Sequence, residues 1–142
     1  MNAPNDRTSG DVPRVVVTAA VIERDGAYLV TRRPPGVHLG GMWEFPGGKC
    51  DGGESLEACL TREIREELGC EIDVGEEVFA TAHAYAERLV ELHFFACTLH
   101  GQPTPVLGQE VRWVSPTELS TLEFPPADDE LIALLSGGTA ET

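Results

Sequence analysis

EFPGGKCDGGE, residues 44–54, runs without a break into SLEACLTREIREELGC, residues 55–70. The first stretch holds four glycines and one proline in eleven residues, and the second places three glutamates within five positions. A loop too Gly-rich for a regular element therefore abuts a helix that gathers negative charge on one side. The reading of the chain turns on why these two segments are neighbours.

The helix is read from spacing. Leu56, Cys59, Leu60, Ile64 and Leu68 recur at helical intervals. Ser55 is a good N-cap and Gly69 a good stop. Glu63 and Glu66 are three apart and Glu63 and Glu67 four apart, so their carboxylates occupy neighbouring ridges of one surface. Like charges so placed cost a few tenths of a kcal/mol per pair in an isolated helix. Taken alone, REIREEL suits a solvated amphipathic helix. The loop beside it shifts the balance: hard oxygen ligands one turn apart suit a divalent cation, and glycine backbone can approach phosphate or metal without side-chain obstruction.

Outward from this centre, residues 15–22 and 27–31 read as strands joined at Asp25-Gly26, a hairpin dipeptide. PPGVHLGG is a loop and MWEF a short apolar strand. CEIDV, EVFATAHAYA and RLVELHFFACTLH read as further strands, the last apolar on both faces, as in a sheet covered on two sides. EVRWVS is another strand, SPTEL a short helix, and FPPADDELIALL a terminal helix with Pro and Asp at its start. Mixed strands with one helix inside and one at the end predict an α/β sandwich around a mixed sheet. The expected layout is a tail over residues 1–13, one domain over 14–136 and a second tail over 137–142.

Bulk properties narrow the function. In 142 residues, 10 Lys and Arg face 24 Asp and Glu, a net charge of −14, which argues against polymeric nucleic acid as a partner. No apolar run approaches the roughly 20 residues of a membrane helix. The start, MNAPNDRTSGDVP, resembles neither a secretory signal nor a transit peptide, so a cytoplasmic protein is expected. Cys50, Cys59, Cys70 and Cys97 form no C-x-x-C pair and have no zinc-like spacing to the four histidines. Reduced thiols acting as small buried fillers are the expectation for each.

As one pattern, Gly48, Glu54, Arg62-Glu63-Ile64, Glu66-Glu67 and Gly69 resemble the signature of the Nudix hydrolases. At roughly 6% usage per residue type, such a match arises by chance about once in 10⁹ registers. Cys70 stands where the pattern usually has a bulky aliphatic, and cysteine can fill that site. TRRPPGVHLGGMWEFPGGK and FPPADDELI resemble the MutT branch in particular. The likeness implies a Nudix fold: an α/β/α sandwich with a mixed sheet, a loop-helix-loop box and a C-terminal helix.

The resemblance also implies an activity: Mg²⁺-dependent hydrolysis of nucleoside triphosphates such as 8-oxo-dGTP to a monophosphate and pyrophosphate, with Mn²⁺ as an alternative metal. Glu63, Glu66 and Glu67 would hold the metal with the Gly47 carbonyl and support from Glu54. Arg62 would orient a glutamate, and Glu63 would take the proton from water. Arg32, Arg33 and Lys49 are candidate phosphate contacts beside Gly48. Related chains place a further carboxylate six residues before Trp113, where this one has Leu107, leaving Glu110 as the nearest candidate ligand. Asp128 is the candidate base reader, with helix capping as its alternative role, and Phe45 and His38 are candidate pocket walls. A CTP-type pyrophosphohydrolase, a Nudix enzyme acting on ADP-ribose or another diphosphate, and a binding domain without turnover are the competing readings. The expected partner is a small nucleotide, and the expected assembly a monomer or homodimer.

Overall fold

The computed structural model describes residues 12–36 and 40–137. The two expected tails lie almost wholly outside these residues, and His38 lies outside them too. Strand β1 (Arg14–Arg24) turns into β2 (Ala27–Arg32) through Asp25 at φ 54° and Gly26 at φ 81°. Two successive left-handed residues match the right-handed twist of the flanking strands, which is why Asp-Gly serves here. β3 (Trp43–Glu44) and β4 (Gly47–Lys49) follow, then helix α1 (Leu56–Leu68), β5 (Glu71–Ala84), β6 (Leu89–His100) and β7 (Glu110–Val114). Helix α2 (Pro116–Leu119), a 3-10 turn (Pro126–Asp128) and α3 (Asp129–Leu135) complete the order.

β1 is the hub. It runs parallel to β6 from Arg14↔Leu89 to Ile22↔Cys97, and its other edge carries β4 antiparallel, Thr18 opposite Gly48. β2 leaves β1 after two pairs and joins β7 and β3, while β5 closes the far edge against β6. Alternation along β1 sends Ala20 and Ile22 to one face and Ala19 and Val21 to the other. The first face packs on Leu60, Ile64 and Leu68 of α1, the second on Trp43, Phe45, Phe94, Leu119 and Leu131. Helical layers on both faces of a mixed sheet give the α/β/α sandwich that the sequence predicts. Among the described residues no helix is long and apolar enough to cross a membrane.

Three local expectations are corrected. The glycine stretch contains a regular element after all: β4 borrows its order from β1, so pairing over long separation overrides poor strand propensity. CEIDV and EVFATAHAYA are one strand, β5, with register shifts between Val74 and Phe79. Gly75 sits at that irregularity, where a side chain would press on the Ala96 carbonyl. Finally, Cys50 and Cys59 are not thiols but a disulfide, their Cα atoms 5.2 Å apart, whereas Cys70 and Cys97 are free and buried as expected. The turn from β4 into α1 brings together two residues nine apart in sequence.

Candidate active site

Helix α1 is fixed at both ends and along its apolar face. The Ser55 hydroxyl accepts from the Ala58 amide, and Gly69, at φ 66°, ends the helix with its N–H bonded to the Arg65 carbonyl. Burial of Cys59, Leu60, Ile64 and Leu68 then dictates where the charged residues point. Glu63 comes against β4 so closely that a Cβ on Gly48 would fall on its carboxylate. Gly47 is held equally tightly: a side chain there would meet the Thr18 carbonyl, and its backbone donates to the Glu67 carboxylate. The two glycines are thus demanded by close approach, of a carboxylate and of a neighbouring strand.

Arg62 organises the surrounding charges. Its Nε donates to Glu54 Oε2 at 2.7 Å and its Nη2 to Glu54 Oε1 at 2.9 Å, a two-pronged pairing. Nη1 reaches Glu63 at 3.0 Å and Glu66 at 3.3 Å, while Nη2 also donates to the Lys49 carbonyl at 3.2 Å. The Arg62 hydrogen bonds, aided by the Asp51 amide, hold the Glu54 carboxyl down to about 2. One guanidinium therefore ties the loop after β4, through Glu54 and the Lys49 carbonyl, to Glu63 and Glu66 of α1.

Glu67 lies in the opposite electrostatic setting. Burial, then the charges of Glu44 and Glu63, push its carboxyl up to about 8 despite the Gly47 N–H. Burial also raises Glu63, with Arg62 opposing. Among the described residues no three His, Cys, Asp or Glu side chains are already drawn into a cation cage. The donor set nevertheless fits a hard divalent ion: carboxylates one turn apart, a backbone cradle with no side chain at Gly47 or Gly48, and a half-buried acid short of positive charge.

From this acidic corner a cavity of about 320 Å³ runs along β1 and β6 to the 3-10 turn. Gly47, Gly48 and Lys49 line it, with Val15, Val17, Leu92 and Phe94 as apolar walls and Asp128 among its lining residues. Phe45 also lines it, stacked on Phe124 at 5.4 Å and edge-on to Phe94 at 6.0 Å. Asp128 is only 5% exposed and makes no side-chain capping bond, so the capping role does not describe it. Burial, then Glu44 and Asp129, raise its carboxyl to about 7. Arg33 lines the same cavity and donates to Glu44 at 3.1 Å.

Arg32 and Glu110 are placed elsewhere. They pair at 3.5 Å beside a separate cleft with Gly41, Gly108 and Gln109, and the Arg32 guanidinium lies over the Trp43 ring. Glu44, Tyr85 and Arg88 also line the main cavity, although sequence reasoning did not select them. Glu44 directly precedes Phe45 in the opening stretch, which was a usable signal; nothing in the spacing of Tyr85 and Arg88 marked the β5–β6 turn as cavity wall.

Fold and site together define a small α/β scaffold in which an acidic helix meets a cavity of ligand size. The chain belongs to the NUDIX domain family, whose profile matches residues 17–134, and within it to the MutT-like hydrolases. A CTP pyrophosphohydrolase of Escherichia coli is 40% identical over 119 residues, 83% of this chain and 88% of that protein. An 8-oxo-dGTP diphosphatase of Haemophilus influenzae is 33% identical over 128 residues, covering 88% and 93%. The solution structure of the E. coli ORF135 protein superposes with a TM-score of 0.81 at 37% identity, over 93% of this chain and 96% of that one.

Proposed function

We propose that this protein is a Mg²⁺-dependent nucleoside triphosphate pyrophosphohydrolase that removes oxidised or otherwise non-standard nucleotides, 8-oxo-dGTP among them, from the cytoplasmic pool before they reach DNA. The observation that carries the reading is one continuous cavity with a buried acid, Asp128, among its lining residues and the Gly47-Gly48 backbone beside the acidic helix. A nucleoside triphosphate has the matching polarity, an edge with donors and acceptors joined to a chain of negative charge.

Glu63, Glu66 and Glu67 would hold the cation with the Gly47 backbone, and Mn²⁺ would serve in its place. When bound, the cation would neutralise phosphate charge and lower the barrier to attack by water. The chain's own residues do the rest. Glu63, which accepts from Arg62 at 3.0 Å, would take a proton from water. Lys49, at the cavity edge, would meet phosphate oxygens, and Arg33 would do so from the Glu44 side. Hydrolysis at the β-phosphorus would release a nucleoside monophosphate and pyrophosphate. Phe45 and the valines of β1 would exclude water around the base.

Asp128 supports a particular kind of base. In its protonated form, which a carboxyl raised to about 7 retains below that pH, it offers one donor and one acceptor side by side, matching O6 and N7–H of an 8-oxoguanine. Cytosine presents a similar pair at N3 and the amino group, and the 40% identity to a CTP pyrophosphohydrolase keeps that second reading in play. A parallel screen of normal, oxidised and methylated nucleoside triphosphates plus ADP-ribose, with Mg²⁺ and with pyrophosphate, phosphate and nucleoside monophosphate measured separately, tests both. Pyrophosphate from 8-oxo-dGTP far above that from CTP is the expected result; preference for CTP selects the second reading, and turnover of ADP-ribose alone overturns both.

A further inference from the structure

We propose that Cys50 and Cys59 form a reversible dithiol–disulfide site, opened by small dithiols and closed by hydroperoxides, that sets how firmly the loop over residues 50–54 is bound to α1. Hydrolysis requires neither sulfur, and the proposal stands apart from the choice of substrate.

The bridge duplicates another tie. Arg62, on α1, grips the same loop through Glu54 at 2.7 and 2.9 Å and through the Lys49 carbonyl at 3.2 Å. The disulfide joins the next residue, Cys50, to the second turn of the same helix. One fastening is ionic and weakened by salt; the other is covalent and indifferent to it. Reduction removes the covalent one and leaves the loop dependent on Arg62.

The two sulfurs differ in access. Cys59 is fully buried, its sulfur 3.2 Å from the Thr18 hydroxyl. Cys50 is half-buried and opens onto a cleft of about 400 Å³ lined also by Arg14, Lys49, Asp51, Gly52 and Glu54. Arg14 is paired with Glu91, and Asp51 and Glu54 with Arg62, which leaves Lys49 to attract an incoming thiolate. Attack is therefore directed to Cys50, with Cys59 as the leaving thiolate. The Thr18 hydroxyl and the positive end of α1 stabilise that thiolate.

Atoms balance in both directions. A dithiol thiolate bonds to Cys50 sulfur, the Cys50–Cys59 bond breaks, and Cys59 takes up a proton. The second thiol of the reagent closes on the first, releases Cys50 as a thiol and leaves the reagent oxidised by two electrons. In reverse, a hydroperoxide oxidises the Cys50 thiolate to a sulfenic acid and departs as an alcohol or water. Cys59 then displaces water to restore the bridge.

The test uses the full chain without substrate. After one equivalent of hydrogen peroxide, alkylation with N-ethylmaleimide in denaturant should count two thiols, Cys70 and Cys97; after dithiothreitol under native conditions it should count four. Reduction should lower the melting temperature by several degrees, more in high salt than in low, and speed amide exchange in residues 50–54. Cys50→Ser and Cys50→Ala should melt like the reduced protein and ignore both reagents. Four thiols after peroxide, two after native dithiothreitol, or a melting temperature unmoved by reduction at any salt concentration would each overturn the proposal.

Discussion

The carboxylate of Glu63 occupies the space that a side chain on Gly48 would need. Gly48 does not have a left-handed backbone, so alanine is tolerated by the chain but not by its neighbour. Gly48→Ala should fold normally while pushing Glu63 off Arg62 and out of line with Glu67. Loss of orienting contacts of this kind costs about 10- to 100-fold in metal affinity or activity. A Mg²⁺ titration of turnover alongside a thermal melt checks it: the melt should hold while the Mg²⁺ demand rises. Unchanged Mg²⁺ dependence would remove Glu63 from the metal site.

Glu67→Gln should cut turnover at least about 10²-fold, because a lost ligand forfeits charge stabilisation in the transition state. The same residue predicts a pH dependence in metal-free protein. Its carboxyl stands at about 8 when folded against 4.5 as a free side chain, so between these values the folded form keeps a proton that the unfolded form has lost. Stability then falls as pH climbs through that window. Melts in a chelator from pH 4.5 to 8 should show the decline in the parent, a shallower one in Glu67→Gln, and recovery of the parent on adding Mg²⁺. Parallel curves for both proteins would place the proton elsewhere.

Much of this was legible in the primary structure, and the division follows range. The α1 helix, its Ser55 and Gly69 caps and the Asp25-Gly26 turn are set by residues within a few positions of one another, and spacing revealed them. β4 was not legible, because its order comes from Val17, Thr18 and Ala19 some thirty residues away. The cavity walls at Tyr85 and Arg88 were hidden for the same reason, whereas Cys50 and Cys59 are only nine apart and their pairing was missed because no C-x-x-C spacing marks it and only the turn from β4 into α1 aims one sulfur at the other. Asp128 fell between the two cases. Its place before α3 was readable, but only burial separates a cavity acid from a helix cap.

Asp128 should make base preference depend on pH. With its carboxyl at about 7, the protonated form donates and accepts below that value and the ionised form only accepts above it. The ratio of kcat/KM for 8-oxo-dGTP, whose O6 and N7–H use both groups, to that for dATP, whose amino group needs only the acceptor, should therefore fall across pH 6 to 8.5, with a midpoint near 7. Asp128→Asn keeps a donor and an acceptor at every pH, so its ratio should be flat and its substrate ranking altered more than its best rate. A uniform fall on all substrates would make Asp128 a structural residue.

Arg62→Lys separates charge from geometry. An ammonium preserves the positive charge but cannot span two oxygens of Glu54 while reaching Glu63 and the Lys49 carbonyl. Turnover should fall about 10-fold or more through misplaced Glu63. Stability reports the same loss on a different axis. Glu54 is held at about 2 when folded against 4.5 as a free side chain, so its pairing stabilises the parent above pH 4.5, and that contribution disappears as pH falls from 4.5 to 2. The variant should start less stable at neutral pH and lose less over the acid window. Both sites are partly exposed, so high salt should narrow the difference. Acid unfolding of the two proteins at low and high ionic strength measures it, and superimposable curves would mean that Arg62 and Glu54 are neighbours without mutual stabilisation.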